Sequence, residues 1–205
     1  MENNLHFVFI INGHNGAGKD EFVSQFIKAS ESNGNHYKIS NVSTIDPIKK
    51  MINIPNLWNG IKDEASRQLM HDIKEAVDKY NNFTTVVAAQ KVNIFKLSSP
   101  MVRTISFVHC REPEKIQQLI EHIEEKYKDT FMIGTILVRR DSNNIAGNAA
   151  DQNVENFKYD ITVNNNSTLD DLYEQALSIV KLCNSLSGVD NDTPSVEETD
   201  DWDYQ

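Results

Sequence analysis

Residues 13–22 read GHNGAGKDEF, three glycines and a lysine in the spacing GxxxxGK. In this pattern successive backbone N–H groups converge on phosphate oxygens at a helix N-terminus. Gly13, Gly16 and Gly18 permit the dihedrals and close approach such a loop needs. His14, Asn15 and Ala17 lend backbone between them, with the His14 side chain expected at the surface. Lys19 is placed to reach the outer phosphates as a mobile cation. A hydroxyl residue that ligates Mg²⁺ normally follows the lysine, and here Asp20 offers a carboxylate, which is also a hard oxygen ligand. The ligands expected are ATP and Mg²⁺, with Asp20 as the metal residue.

The flanks supply the context that separates a phosphate loop from a chance match. LHFVFII (5–11) is a near-continuous β-prone run, as in a strand buried on both faces, and Phe22, Val23, Phe26 and Ile27 recur at helical spacing after the loop. YKISNVS (37–43) predicts a second strand, and TIDPIKKMI (44–52) a helix with Asp46 as its cap and Pro47 in its first turn. From Asp63 to Tyr80, Leu69, Ile73, Ala76, Val77 and Tyr80 predict the buried stripe of a helix that carries Arg67, His71 and Lys74 elsewhere around it. A further helix is expected over 84–97, a strand at VRTISFVHC (102–110), and a helix opened by Glu112-Pro113-Glu114 with Ile116, Leu119, Ile120, Ile123 and Tyr127 on its apolar face. TFMIGTILV (130–138) and YDITVN (159–164) complete the strands, and Thr168 with Asp171 forms a capping box for the last helix. Strands alternating with helices imply an α/β layer fold, because parallel neighbours need helical crossovers. The expected organisation is one domain over 1–185, containing a polar lid at about 139–158, and a disordered acidic tail over 186–205.

Composition narrows the function classes. The 205-residue chain has 39% apolar and 24% charged residues, as soluble globular proteins do, and a formal charge of −10. Seven of its 30 acids lie beyond the last basic residue, Lys181, which leaves 23 acids against 20 bases in the body. No Lys/Arg block advertises a nucleic-acid face. MENNLHFVFII lacks a basic n-region and is too short to span a bilayer, so a cytoplasmic location without membrane attachment is expected. Cys110 and Cys183 lack metal-type spacing and are expected to be buried thiols. Oligomeric state stays open, a homodimer included.

GAGKDEF resembles the GKD-type phosphate loop of the deoxynucleoside monophosphate kinases of bacteriophages and of the related phosphomevalonate kinases, in which aspartate normally follows the lysine. Those kinases commonly carry Thr next, where this chain has Glu21. STIDPIKKMI is similar to their substrate-side segment. FVHCREPEKI resembles their strand ending in Asp-x-Arg, which puts Arg111 on the family arginine and His109 where an acid is expected. LVRRDSNN and ADQNVENFKYDITVNN are similar to their arginine-bearing lid and closing strand. The resemblance spans residues 5–183, and it implies a P-loop NTPase-like three-layer fold, helices on both faces of a mostly parallel sheet, with a lid. It also implies transfer of the ATP γ-phosphoryl to a (deoxy)nucleoside monophosphate.

Phosphoryl transfer demands cations around the moving group and exclusion of water. Lys19, Arg111, Arg139 and Arg140 are the catalytic candidates, the last two as lid cations, although adjacent arginines at a strand end are often simply solvated. Asp151 in the lid could orient one of them or be a loop acid. Arg67 suits an acceptor phosphate through paired hydrogen bonds, or else an exposed pair with Asp63. Asp46, Lys49 and Arg111 complete the acceptor side. Two further acceptors stay open, phosphomevalonate and a hydroxymethylated base in DNA. So does a nucleotide-binding sensor or assembly protein without turnover, for which the tail VEETDDWDYQ (196–205), with Trp202 and Tyr204 as anchors, would dock an unknown partner.

Overall fold

The computed structural model describes residues 5–34, 37–53, 58, 60–61, 63–141 and 153–188. Five strands form one sheet in the order β2-β3-β1-β4-β5, every pair parallel. They are β1 (Phe7–Asn12), β2 (Lys38–Ser43), β3 (Thr104–His109), β4 (Met132–Arg139) and β5 (Ile161–Asn164). Among the described residues six α-helices accompany them: α1 (Lys19–Ser32), α2 (Asp46–Asn53), α3 (Glu64–Asn81), α4 (Phe83–Leu97), α5 (Pro113–Tyr127) and α6 (Leu169–Leu186). The expected α/β class, strands and helices are all present, with ends shifted by a few residues at most.

All six residues of β1 are buried, because the strand lies centrally between β3 and β4 and is covered on both faces. Alternation divides its side chains. Phe7, Phe9 and Ile11 join Phe22, Val23 and Phe26 of α1 and Leu172, Ala176 and Val180 of α6 in one core, while Val8 and Ile10 join Ala88, Ala89 and Val92 of α4 and Ile116, Leu119 and Ile123 of α5 in the other. Right-handed crossovers account for this division. The leftward connection from β1 to β2 carries α1 over one face, and the rightward ones carry α4 and α5 over the other. The predicted capping box forms, Thr168 Oγ1 accepting from the Asp171 N–H and the Asp171 carboxylate from the Thr168 N–H.

The buried face of α3 differs from the expected stripe. Leu69 and Tyr80 are exposed, Tyr80 at 88%, whereas Ser66, Met70, Lys74 and Asp78 are buried and Ile73 and Val77 only border a small core with Ile48 and Ile52. The helix is rotated so that charged residues face its neighbours, for a reason given below. Asp46 also departs from expectation. It stands inside the first turn of α2 and its carboxylate turns back to accept from the Ser43 N–H at 3.0 Å. Most of the expected lid, with Asp151, and nearly all of the expected tail, with Trp202 and Tyr204, lie outside the described residues.

Candidate functional site: a phosphate loop at the head of a polar cleft

The head of the loop is fixed to the end of β1 by a buried side chain. Asn12, fully buried at the end of β1, accepts the Gly13 N–H through Oδ1 at 2.8 Å and donates through Nδ2 to the Arg111 carbonyl at 2.8 Å and the Tyr159 hydroxyl at 2.6 Å. Tyr159 in turn donates to the Val154 carbonyl at 2.8 Å. Gly13 adopts φ +150° with the Val138 carbonyl oxygen only 2.3 Å from where a Cβ would sit, so the chain turns off the strand where no side chain fits. Gly18, at φ +90°, lies against Asn165, whose amide donates to the Ala17 carbonyl at 2.8 Å. Helix α1 then begins at Lys19, and the Phe22 N–H reaches the Gly18 carbonyl at 2.9 Å. The Lys19 ammonium arches over the loop and donates to the Gly13 and His14 carbonyls at 2.6 and 2.9 Å.

A cleft of about 760 Å³ opens beside this loop, at the carboxyl ends of β1, β2 and β3. Open α/β sheets bind ligands at that edge. Asn15, Gly16, Gly18, Lys19 and Asp20 line one side, Asp46, Lys49 and Arg67 line another, and His109 and Arg111 come from the end of β3. Six residues singled out in the sequence for three different reasons, Lys19, Asp20, Asp46, Lys49, Arg67 and Arg111, therefore share one cavity. Asp46 pairs with Lys49 at 3.6 Å and with Lys91 at 3.7 Å. Asp63 caps α3, accepting from the Ser66 N–H at 2.8 Å, and that hydrogen bond holds its carboxyl below the ordinary range. Arg67, one helical turn on, faces the cleft.

Arg139 and Arg140 do not line this cleft. Both are exposed, and the Arg139 guanidinium is paired with Glu155, its Nε at 3.2 Å from Oε1, while Glu155 also lies 3.9 Å from His14 Nε2. The two described ends of the expected lid are thus joined to each other and border the phosphate loop.

His109 and Asp20 face each other across the cleft floor, Nε2 3.7 Å from the carboxylate. The imidazole is only 14% exposed, and Nε2 is buried without a hydrogen-bond partner among the described residues. Burial lowers its pKa to about 4, outweighing the opposing pull of the Asp20 carboxylate, and the Lys19 ammonium pushes in the same direction as burial. The folded state therefore disfavours the proton that the unfolded chain takes up near pH 6.5, so stability is full above that pH and is lost as pH falls toward 4. With a shift of this size the loss should approach about 3 kcal/mol. Urea unfolding without divalent cations, at several pH values between 7 and 4, should show this limb in the parent protein and a much flatter one in His109→Gln.

The donor set bears on the expected Mg²⁺. Asp20, 93% exposed, is the kind of single carboxylate that Mg²⁺ takes together with phosphate oxygens and water. His109 does not suit that ion as a second anchor, because imidazole is a poor partner for a hard cation. Among the described residues no group of three or more His, Cys, Asp or Glu side chains could hold a metal.

A buried charge network behind the cleft was missed in the sequence. Lys74 lies 3.0 Å from Glu112 and 3.6 Å from Asp78, and Lys115 lies 3.8 Å from Asp78. Asp78 also accepts from the Thr84 N–H and hydroxyl at 2.8 Å each, which joins α3 to the start of α4. Burial alone would lower the Lys74 pKa, yet Glu112 and Asp78 more than offset it and the net shift is upward. This network explains why α3 turns charged residues inward. The Lys74–Asp78 spacing was its only local signal. Burial pushes the Cys110 thiol up to about 12, which keeps it protonated and unreactive.

The all-parallel 2-3-1-4-5 sheet with a glycine loop between β1 and α1 is a three-layer α/β arrangement of the P-loop NTPase-like kind. No protein-family model matches the chain. No curated protein matches it either. Solved structures with a similar backbone include a de novo designed P-loop fold protein (10% identity, TM-score 0.42, covering 92% of this chain and 100% of that one). They also include an unliganded sugar kinase from a Janibacter species (12% identity, TM-score 0.48, covering 88% and 98%). Among the described residues no helix is long and apolar enough to cross a membrane.

Proposed function

We propose that the chain is an ATP-dependent phosphotransferase of the nucleoside monophosphate kinase type. It moves the γ-phosphoryl group to a (deoxy)nucleoside monophosphate. The observation that carries this reading is the single cleft into which the phosphate loop and three cations from separate elements, Lys49, Arg67 and Arg111, all open.

In this mechanism the loop N–H groups between Gly13 and Lys19 hold the β- and γ-phosphates, and Lys19 exchanges its two carbonyl partners for phosphate oxygens. A divalent cation beside Asp20, Mg²⁺ in the simplest case, would neutralise charge on the triphosphate. Arg67 and Lys49 fix the acceptor's phosphate, and Arg111, just past the end of β3, stabilises charge on the group in flight. An acceptor phosphate oxygen attacks the γ-phosphorus as the bond to the β,γ-bridging oxygen breaks, giving ADP and a nucleoside diphosphate. No covalent enzyme intermediate is required. Arg139 and Arg140, with Asp151, are assigned to a lid that closes over both substrates, for which Arg139 would exchange Glu155 for phosphate.

ADP release measured over a panel of ribo- and deoxynucleoside monophosphates tests the proposal. Turnover on at least one monophosphate is expected, with Arg67→Ala raising KM for it more than it lowers kcat. The histidine where an acid is expected, its Nε2 without a hydrogen-bond partner among the described residues, favours one other reading, a nucleotide-binding sensor that does not catalyse. Tight ADP binding without turnover on any acceptor, phosphomevalonate and hydroxymethylated DNA included, would replace the kinase reading with that one.

A further inference from the structure

Two unusual residues, an aspartate where the general phosphate-loop pattern has a hydroxyl and a histidine at the end of β3, lie far apart in sequence and meet in the structure. Nε2 of His109 is 3.7 Å from the Asp20 carboxylate. That nitrogen is buried and has no hydrogen-bond partner among the described residues, so it is available to a ligand shared with the carboxylate beside it. Asp20 projects from the first turn of α1 with its side chain 93% exposed, so it is free to turn toward a shared ligand. Two donors each ~2.1 Å from one metal at tetrahedral or octahedral angles stand about 3.0–3.4 Å apart, a few tenths of an ångström closer than this pair.

We propose that Asp20 and His109 form a two-point site for a first-row transition cation such as Mn²⁺, in preference to Mg²⁺, at the floor of the cleft. One neutral nitrogen and one carboxylate oxygen match that class, whereas Mg²⁺ favours oxygen alone. The charges of Lys19, Arg111 and Asp46 all reach this point of the cleft, two positive against one negative, so the cation would bind best with a polyphosphate in the loop completing its coordination. The site thereby deepens the kinase reading, yet both donors belong to the chain and do not require it.

Electron spin-echo modulation of Mn²⁺ added to the full chain, alone and with inorganic tripolyphosphate, tests the site without any turnover. Coupling to a directly bound imidazole ¹⁴N is expected, replaced by ¹⁵N coupling in protein labelled at histidine. The coupling should vanish in His109→Gln and persist in His122→Gln. Mn²⁺ affinity in His109→Gln should fall roughly ten- to a hundredfold, the range lost even when an outer-shell partner of a metal ligand is removed. In His109→Asp the preference should turn toward Mg²⁺. Bound Mn²⁺ without nitrogen coupling, or no bound Mn²⁺ under either condition, overturns the site. The labelled parent protein decides this even if a variant does not fold. A parallel ADP titration separates the two ideas, since ADP binding without imidazole coupling sinks the site alone and coupling without ADP binding sinks the kinase reading alone.

Discussion

Replacing Lys19 with methionine should lower kcat on the preferred monophosphate roughly a hundred- to a thousandfold, the loss typical when one preorganised donor to developing charge is removed. The Lys19 ammonium rests on the Gly13 and His14 carbonyls, where it is within reach of any phosphate that enters the loop. Arginine should not rescue it, because a planar fork does not replace a compact ammonium in so narrow a cradle. Steady-state assay of the variant, with thermal unfolding to confirm an intact fold, checks the expectation. Unchanged kcat/KM would remove the loop from the mechanism altogether.

Phe107→Ala should be the most destabilising simple truncation in the protein. Phe107 is fully buried at the centre of β3, and its ring lies 5.0 Å from Phe26, 5.7 Å from Phe9 and 6.3 Å from Phe22, joining three elements of one core. Removing a buried phenyl ring costs about 3–5 kcal/mol, transfer and cavity terms together. For a domain of this size that corresponds to a fall in Tm of roughly 6–20 °C. Differential scanning calorimetry of both proteins measures it, and a shift of only a degree or two would mean that this core is far looser than its ring geometry implies.

What could be read in advance follows the range over which the causes act. The loop, the strand before it and the helix after it were legible because glycine, β-branched and apolar spacings are local signals. The apolar face of α5 was legible for the same reason, Ile116, Leu119 and Ile123 being buried and Ile120 and Tyr127 partly buried against the same core. The orientation of α3 was not, because Lys74 is stabilised by Glu112, a residue of another segment, and local periodicity counts Lys74 only as polar. Asp20 and His109 were each noticed as unusual, yet only the pairing of β1 with β3 brings them together. Arg139 was legible as a cation at a strand end, while its partner Glu155 stands 16 residues further along the chain, a separation that no spacing rule covers.

The carboxamide of Asn12 ties the first amide of the phosphate loop, the carbonyl of Arg111 and the hydroxyl that anchors residues 154–159. Because that amide is wholly buried, none of the three can swing outward without stranding a polar group away from water. The rim of the cleft consequently opens as one cooperative patch, and a molecule seated against any part of it raises the free energy of local unfolding for all of it.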